Sequence, residues 1–150
     1  MTSHLQFNPR LLAAALALAA AAASAQSTVG ELLDQGGQKL LKADYAQMAP
    51  FRVKYVWFQG GGEGDILFNA DGTLSGSEYH YSSRSETPAT GSWTVDETGK
   101  WCVKKNLPAW NRNTDVCWYG FRSGDQHYGT LSEDRAARVG KIKSLARNTQ

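Results

Sequence analysis

The sequence predicts a mainly β fold, an antiparallel meander forming a curled sheet or small barrel, with a short N-terminal helical segment. Three observations lead there. From Phe51 onward, short runs rich in aromatic and β-branched residues recur, a composition that suits a pleated, half-buried surface. Glycine- and aspartate-bearing turns separate these runs, as in Ala70-Asp71-Gly72, Asp96-Glu97-Thr98-Gly99 and Ser123-Gly124-Asp125. The chain's two cysteines, Cys102 and Cys117, fall on consecutive expected strands across one loop, where antiparallel neighbours come within disulfide reach.

The N-terminus carries an expectation about compartment. Met1 to Arg10 is polar and ends on a positive charge, and Leu11 to Ala23 is an uninterrupted apolar run. Ala23-Ser24-Ala25 then offers the small side chains a signal peptidase accepts. A spanning helix needs about 20 apolar residues, and this run is shorter and mostly alanine. Residues 1–25 are therefore expected to be a cleaved signal peptide. No stable membrane anchor is expected after cleavage, and the product would be periplasmic or secreted. In that oxidising setting Cys102 and Cys117 are expected to form a disulfide. No histidine lies near either cysteine in sequence to suggest a metal pair instead.

Residues 26–50 read as a helical segment and residues 51–150 as the β-rich domain. Leu32, Leu33, Leu40, Leu41 and Tyr45 recur at helical spacing, but Gly36-Gly37 interrupts them, which predicts two short helical pieces, or one weak helix broken at the glycines, ended by Pro50. Strands are expected at 51–58, 65–69, 73–81, 90–95, 100–105, 115–122 and 126–130. Gly60 to Gly64 and Ser82 to Ala89 are expected as loops. Asn106 to Thr114 reads as a longer loop carrying Pro108 and Trp110. The tail from Ala136 has both helical and strand periodicity and is assigned as a last strand. Along the strands, alternation sets Trp93 with Val95 and Trp101 with Val103 on one face, with Cys102 opposite.

Several of these segments, taken together, resemble a known family. Phe68-Asn69-Ala70-Asp71-Gly72-Thr73, Gly91-Ser92-Trp93-Thr94-Val95, Trp101-Cys102-Val103 and Cys117-Trp118-Tyr119 with its following Gly-Asp turn are the residues concerned. They resemble the small exported bacterial proteins grouped as a domain of unknown function, DUF995. The resemblance runs from about Tyr45 to Thr130. It implies an exported β domain with a paired cysteine, and it brings no activity or catalytic residues.

The sequence lacks G-x-S-x-G, H-E-x-x-H and P-loop patterns, so no established catalytic motif is present. Once Arg10 leaves with the leader, fifteen basic residues face fourteen acidic ones. The basic residues after Leu131 (Arg135, Arg138, Lys141, Lys143 and Arg147) read as a solvated end, and no nucleic-acid partner is expected. Asn69, Asp71, Gly72 and Glu78 match four places of a calcium loop. Leu67 would hold the first place and has no side-chain oxygen, so the segment reads as a hairpin turn. His80 and His127 would have to converge with a carboxylate such as Glu78 or Asp125 to hold a metal. No metal or other cofactor is expected.

What remains is the aromatic load: five tryptophans and six tyrosines in all. Rings with a polar tip serve binding sites as well as cores. The expectation is a non-catalytic module that binds a small molecule or an envelope component. The candidate binding residues are Trp110, Tyr79, His80, Tyr81 and Tyr128. The alternative is a small cell-envelope hydrolase using His80 or His127.

Overall fold

From Gly62 to Phe68 every second residue is buried, and the same alternation buries Phe51 with Val53 and Trp101 with Val103. One face of a continuous sheet has therefore turned inward. The computed structural model describes residues 28–147, and the leader expected at residues 1–25 lies outside them. In chain order the elements are α1 (Val29–Asp34), β1 (Gln38–Lys39), α2 (Lys42–Met48), β2 (Phe51–Val56), β3 (Gly62–Phe68), β4 (Thr73–His80) and β5 (Ser85–Val95). There follow β6 (Lys100–Leu107), a 3-10 turn (Pro108–Trp110), β7 (Arg112–Ser123), β8 (Gln126–Thr130), β9 (Gly140–Lys141) and β10 (Ser144–Arg147).

Strands β2 to β8 pair each with its successor, all antiparallel, so the expected meander is the fold. The C-terminal segment then joins its flanks. β9 pairs with β8, with Tyr128 opposite Lys141, and β10 pairs with β2, with Leu145 opposite Val53. The inward residues fill the interior with rings. Phe51 stacks on Phe68 at 5.2 Å, and Phe68 meets Trp101 edge-on at 4.8 Å between centroids. Such pairs add about 0.5–1.5 kcal/mol beyond the area they bury. α2 closes this end: its Tyr45 is 1% exposed and lies 5.5 Å from Trp101.

A second, smaller cluster sits on the outside of β7 and β8. There α1 lays Val29 and Leu32 over Phe121 and Tyr128. Thr28 caps α1, accepting from the Glu31 amide while the Glu31 carboxylate accepts from the Thr28 amide, each at 3.2 Å. The glycine break expected after Leu33 separates α1 from α2, and Gly36 adopts a positive φ there.

The strands are longer than the sequence pattern suggests at three places. β3 begins at Gly62 rather than Asp65. A Cβ on Gly62 would lie 2.6 Å from the Trp57 ring, and one on Gly64 would lie 2.6 Å from the Tyr55 hydroxyl. These glycines are strand positions covered by cross-strand rings, a use of glycine that mimics a turn signal in sequence. β5 begins at Ser85 rather than Thr90. Pro88 is tolerated because β5 pairs with β6 only from Thr90, so the proline has no partner to donate to on that side. The Asn106–Thr114 loop shrinks to the 3-10 turn, with Asn111 in the left-handed region at φ 47°. The tail is extended, as assigned.

Cys102 and Cys117 are direct cross-strand partners on the outer face and form a disulfide. It pins β6 to β7, and such a bond is compatible with an oxidising extracellular compartment. Closing a loop of 15 residues stabilises by about 3 kcal/mol in the chain-entropy account. Replacing both cysteines by alanine is expected to lower the unfolding free energy by about that amount, measured by urea denaturation. An unchanged midpoint and slope would contradict it.

Candidate functional site

Two rows of side chains cross the sheet at the end opposite α2, and both follow from strand register. Tyr55, Gly64, Glu78 and Thr87 are successive partners from β2 to β5. One step nearer the edge, Gly62, His80 and Ser85 are partners, and Trp57 joins them through its amide, which donates to the Gly62 carbonyl at 2.9 Å. Because β3 contributes only glycines to these rows, the side chains of β2 reach across it to β4.

Glu78 occupies the centre of the inner row and is 1% exposed. Its carboxylate accepts from the Tyr55 hydroxyl, the Trp57 indole N–H and the Lys105 ammonium, which arrives from β6. Lys105 also donates to the Tyr55 hydroxyl at 2.8 Å, closing the network. A buried carboxylate is costly unless paired and hydrogen-bonded, and here both conditions are met. Burial, and then the Glu78 charge, push the Tyr55 hydroxyl far above the ordinary phenol range, so it stays neutral and donates.

Over this layer stand three rings. Trp57 lies 5.4 Å from His80 and 5.9 Å from Trp110, and His80 lies 6.1 Å from Trp110, all edge-on. All three are partly exposed. The 3-10 turn that holds Trp110 is tied down by buried Thr87, whose Oγ1 accepts from the Ala109 amide at 3.1 Å. The Trp110 indole donates to Ser85 Oγ at 3.0 Å. Phe58, the residue after Trp57, turns to Trp118, 6.0 Å away.

The other residues singled out from the sequence lie apart from this rim. Tyr79 and Tyr81 face outward, 6.0 Å apart. Tyr81 donates to Glu63 at 3.0 Å, and Tyr79 borders an outer groove of about 450 Å³ with Lys54, Glu63 and Lys143. Tyr128 is 8% exposed beneath α1. His127 pairs in register with Arg122 at the α2 end, so His80 and His127 do not share a site. Among the described residues no group of three His, Cys, Asp or Glu is placed to hold a metal ion. The Asn69–Gly72 segment is the β3–β4 hairpin turn, where Asp71 accepts from the Thr73 amide at 2.9 Å. Two of the basic residues beyond Leu131 pair with acids: Arg135 grips Asp34 at 2.6 and 2.8 Å, and Lys143 pairs with Glu63.

Comparison with protein-family models, with curated proteins and with solved structures gives no match. The functional reading therefore rests on the residues and their geometry.

Sequence reading missed Tyr55, Trp57 and Lys105 as a group with Glu78. The signal was present in the alternation: Glu78 shares the inward parity of Leu74, and Lys105 that of Trp101 and Val103.

Glu78→Ala is expected to destabilise the fold by about 3–5 kcal/mol, because it strands the Lys105 charge. Glu78→Gln combined with Lys105→Met is expected to cost clearly less. Denaturant titration of both variants checks this, and equal losses would contradict it. At the other end, burial and then the Arg122 charge hold the His127 pKa below the ordinary histidine value. The unfolded chain thus binds a proton more readily than the folded one. Stability is expected to fall as pH drops below about 6.5, the ordinary histidine value, and the fall saturates below the folded pKa. His127→Gln should flatten that part of the stability–pH curve, and an unchanged curve would contradict the assignment.

Proposed function

We propose that this chain is an exported β domain that binds a small molecule or envelope component, without catalysis, at the rim formed by Trp57, His80 and Trp110. The observation that supports it best is the pairing of three partly exposed rings with a polar layer that is already satisfied. Glu78 and Lys105 spend their hydrogen bonds on one another and on Tyr55 and Trp57, so the charged groups hold the rings in place. Rings held in this way present apolar faces at low entropic cost, as binding surfaces do. Export rests on the expected leader at residues 1–25, and the disulfide is compatible with it. The resemblance to DUF995 belongs to the same proposal.

A hydrolase reading has one observation in its favour: Ser83 Oγ lies 3.0 Å from His80 Nδ1. The same nitrogen, however, also meets Ser82 Oγ at 3.2 Å and accepts from the Ser83 amide at 3.3 Å. His80 thereby braces the β4–β5 turn, and the nitrogen a general base would need is shared among local donors.

Titration of the exported protein with peptidoglycan fragments and phospholipid vesicles, followed by tryptophan fluorescence, tests the binding reading. A saturable shift is expected with one of them, weakened about tenfold or more in Trp110→Ala. Unaltered fluorescence with every probe would contradict it, and ester or amide hydrolysis abolished by His80→Gln would favour the hydrolase instead.

A further inference from the structure

The end of the sheet beneath α2 holds a second feature, independent of the aromatic rim. A cavity of about 220 Å³ opens there, lined by Leu40, Asp44, Met48, Arg122, His127 and Arg147 among others. The lining combines two guanidinium groups and an imidazole with two apolar side chains. Neither arginine is engaged in an ion pair among the described residues, whereas Arg52 and Arg135 both pair with aspartates. Arg122 donates to the side-chain amide oxygen of Gln38, Oε1, at 3.4 Å. Asp44, the one carboxylate in the lining, is occupied in part by the Leu41 amide at 2.7 Å.

The frame that presents these groups is fixed. Arg122 and His127 are register partners on β7 and β8, and Arg147 lies opposite Phe51, which is fully buried. Gln126 clamps the neighbouring chain, donating to the Ile142 and His127 carbonyls at 2.8 Å each. The Ile142 amide returns a bond to the His127 carbonyl at 2.9 Å. The segment that carries Arg147 is thereby tied to the strand that carries His127.

We propose that this cavity binds a small organic anion, its carboxylate held between Arg122 and Arg147 and its short apolar body against Leu40 and Met48. Guanidinium groups match the planar, two-oxygen geometry of a carboxylate, and unpaired they supply the charge such a ligand seeks. The volume is below the roughly 300–1,000 Å³ of sites for drug-sized molecules, which limits the ligand to a short chain. His127, half-buried beside Arg122, is neutral near pH 7 and donates or accepts one hydrogen bond. A bound anion would stabilise its protonated form. Of the charged groups around it, Arg122 opposes protonation and Asp125 favours it, while Arg147 and Asp44 line the same cavity.

The test uses the full exported chain, with hexanoate as the probe, hexanol as the uncharged control and inorganic phosphate as the control lacking an apolar body. Binding is followed by NMR shifts of the His127 ring and of α2. Hexanoate is expected to saturate at concentrations up to about 10 mM and to raise the His127 titration midpoint, while hexanol does neither. Arg122→Gln and Arg147→Gln are each expected to weaken hexanoate about tenfold. Arg112→Gln, on a residue at the opposite end of β7, should leave it unchanged. Equal responses to hexanoate and hexanol would overturn the proposal. So would binding indifferent to Arg122 and Arg147, or saturation by phosphate alone.

Discussion

The interior of this domain is organised around one carboxylate. Glu78 is as buried as the phenylalanines and leucines of the core, yet it lies on the same inward row as they do. A charge in that position is tolerable only where donors surround it, and here there are three. Lys105 comes from β6, Tyr55 reaches over β3 from β2, and Trp57 does so from just past the end of β2. The carboxylate thus dictates that β3 carry glycine at 62 and 64, since any side chain there would block the two rings. An anion, a cation and two glycines form one constraint spread over three strands. Its contribution is to orientation more than to net stability, because the desolvation of two charges offsets most of their attraction.

The two ends of the curled sheet differ in consequence. At the α2 end Tyr45 packs against Trp101 and Phe51 in the apolar cluster, beside the cavity that opens under α2. At the other end the polar layer sits below rings that remain partly in water. Trp57 belongs to both levels: its indole N–H is bound to Glu78, and its ring meets His80 and Trp110. The position of the rim is therefore set from beneath as well as by the 3-10 turn. On the outer surface the disulfide joins β6 to β7, and Lys143 pairs with Glu63 of β3.

Much of the architecture was legible in the sequence. Aromatic and β-branched runs with Asp-Gly-type turns specify strands and hairpins, and consecutive strands separated by short turns specify a meander. The cysteine partners could be placed because they fall on consecutive strands across one loop. Three segments misled for physical reasons. Gly60 to Gly64 reads as a flexible connection, but Gly62 and Gly64 are paired strand residues whose space is taken by rings remote in sequence. Ser82 to Ala89 reads as a polar loop because Pro88 and the serines argue against a strand, and the free edge that admits Pro88 depends on where β6 stops pairing. Trp110 and His80 were identifiable singly. Their meeting with Trp57 required the register of β2 to β5, which no local pattern encodes. Tyr128 illustrates the converse: its face is covered by α1, an element too far away in sequence to anticipate.

The central claim is that Glu78 holds the Trp57 indole inside the polar layer while the ring's edge remains at the rim. Exchange of the Trp57 indole proton with deuterated solvent, followed by NMR, tests it most directly. The account predicts protection comparable to that of the paired amides in β3 and β4, because the proton is bound to a buried carboxylate. Exchange as fast as that of a free indole in water would mean that this bond is absent, and the organisation described for the rim would fail with it.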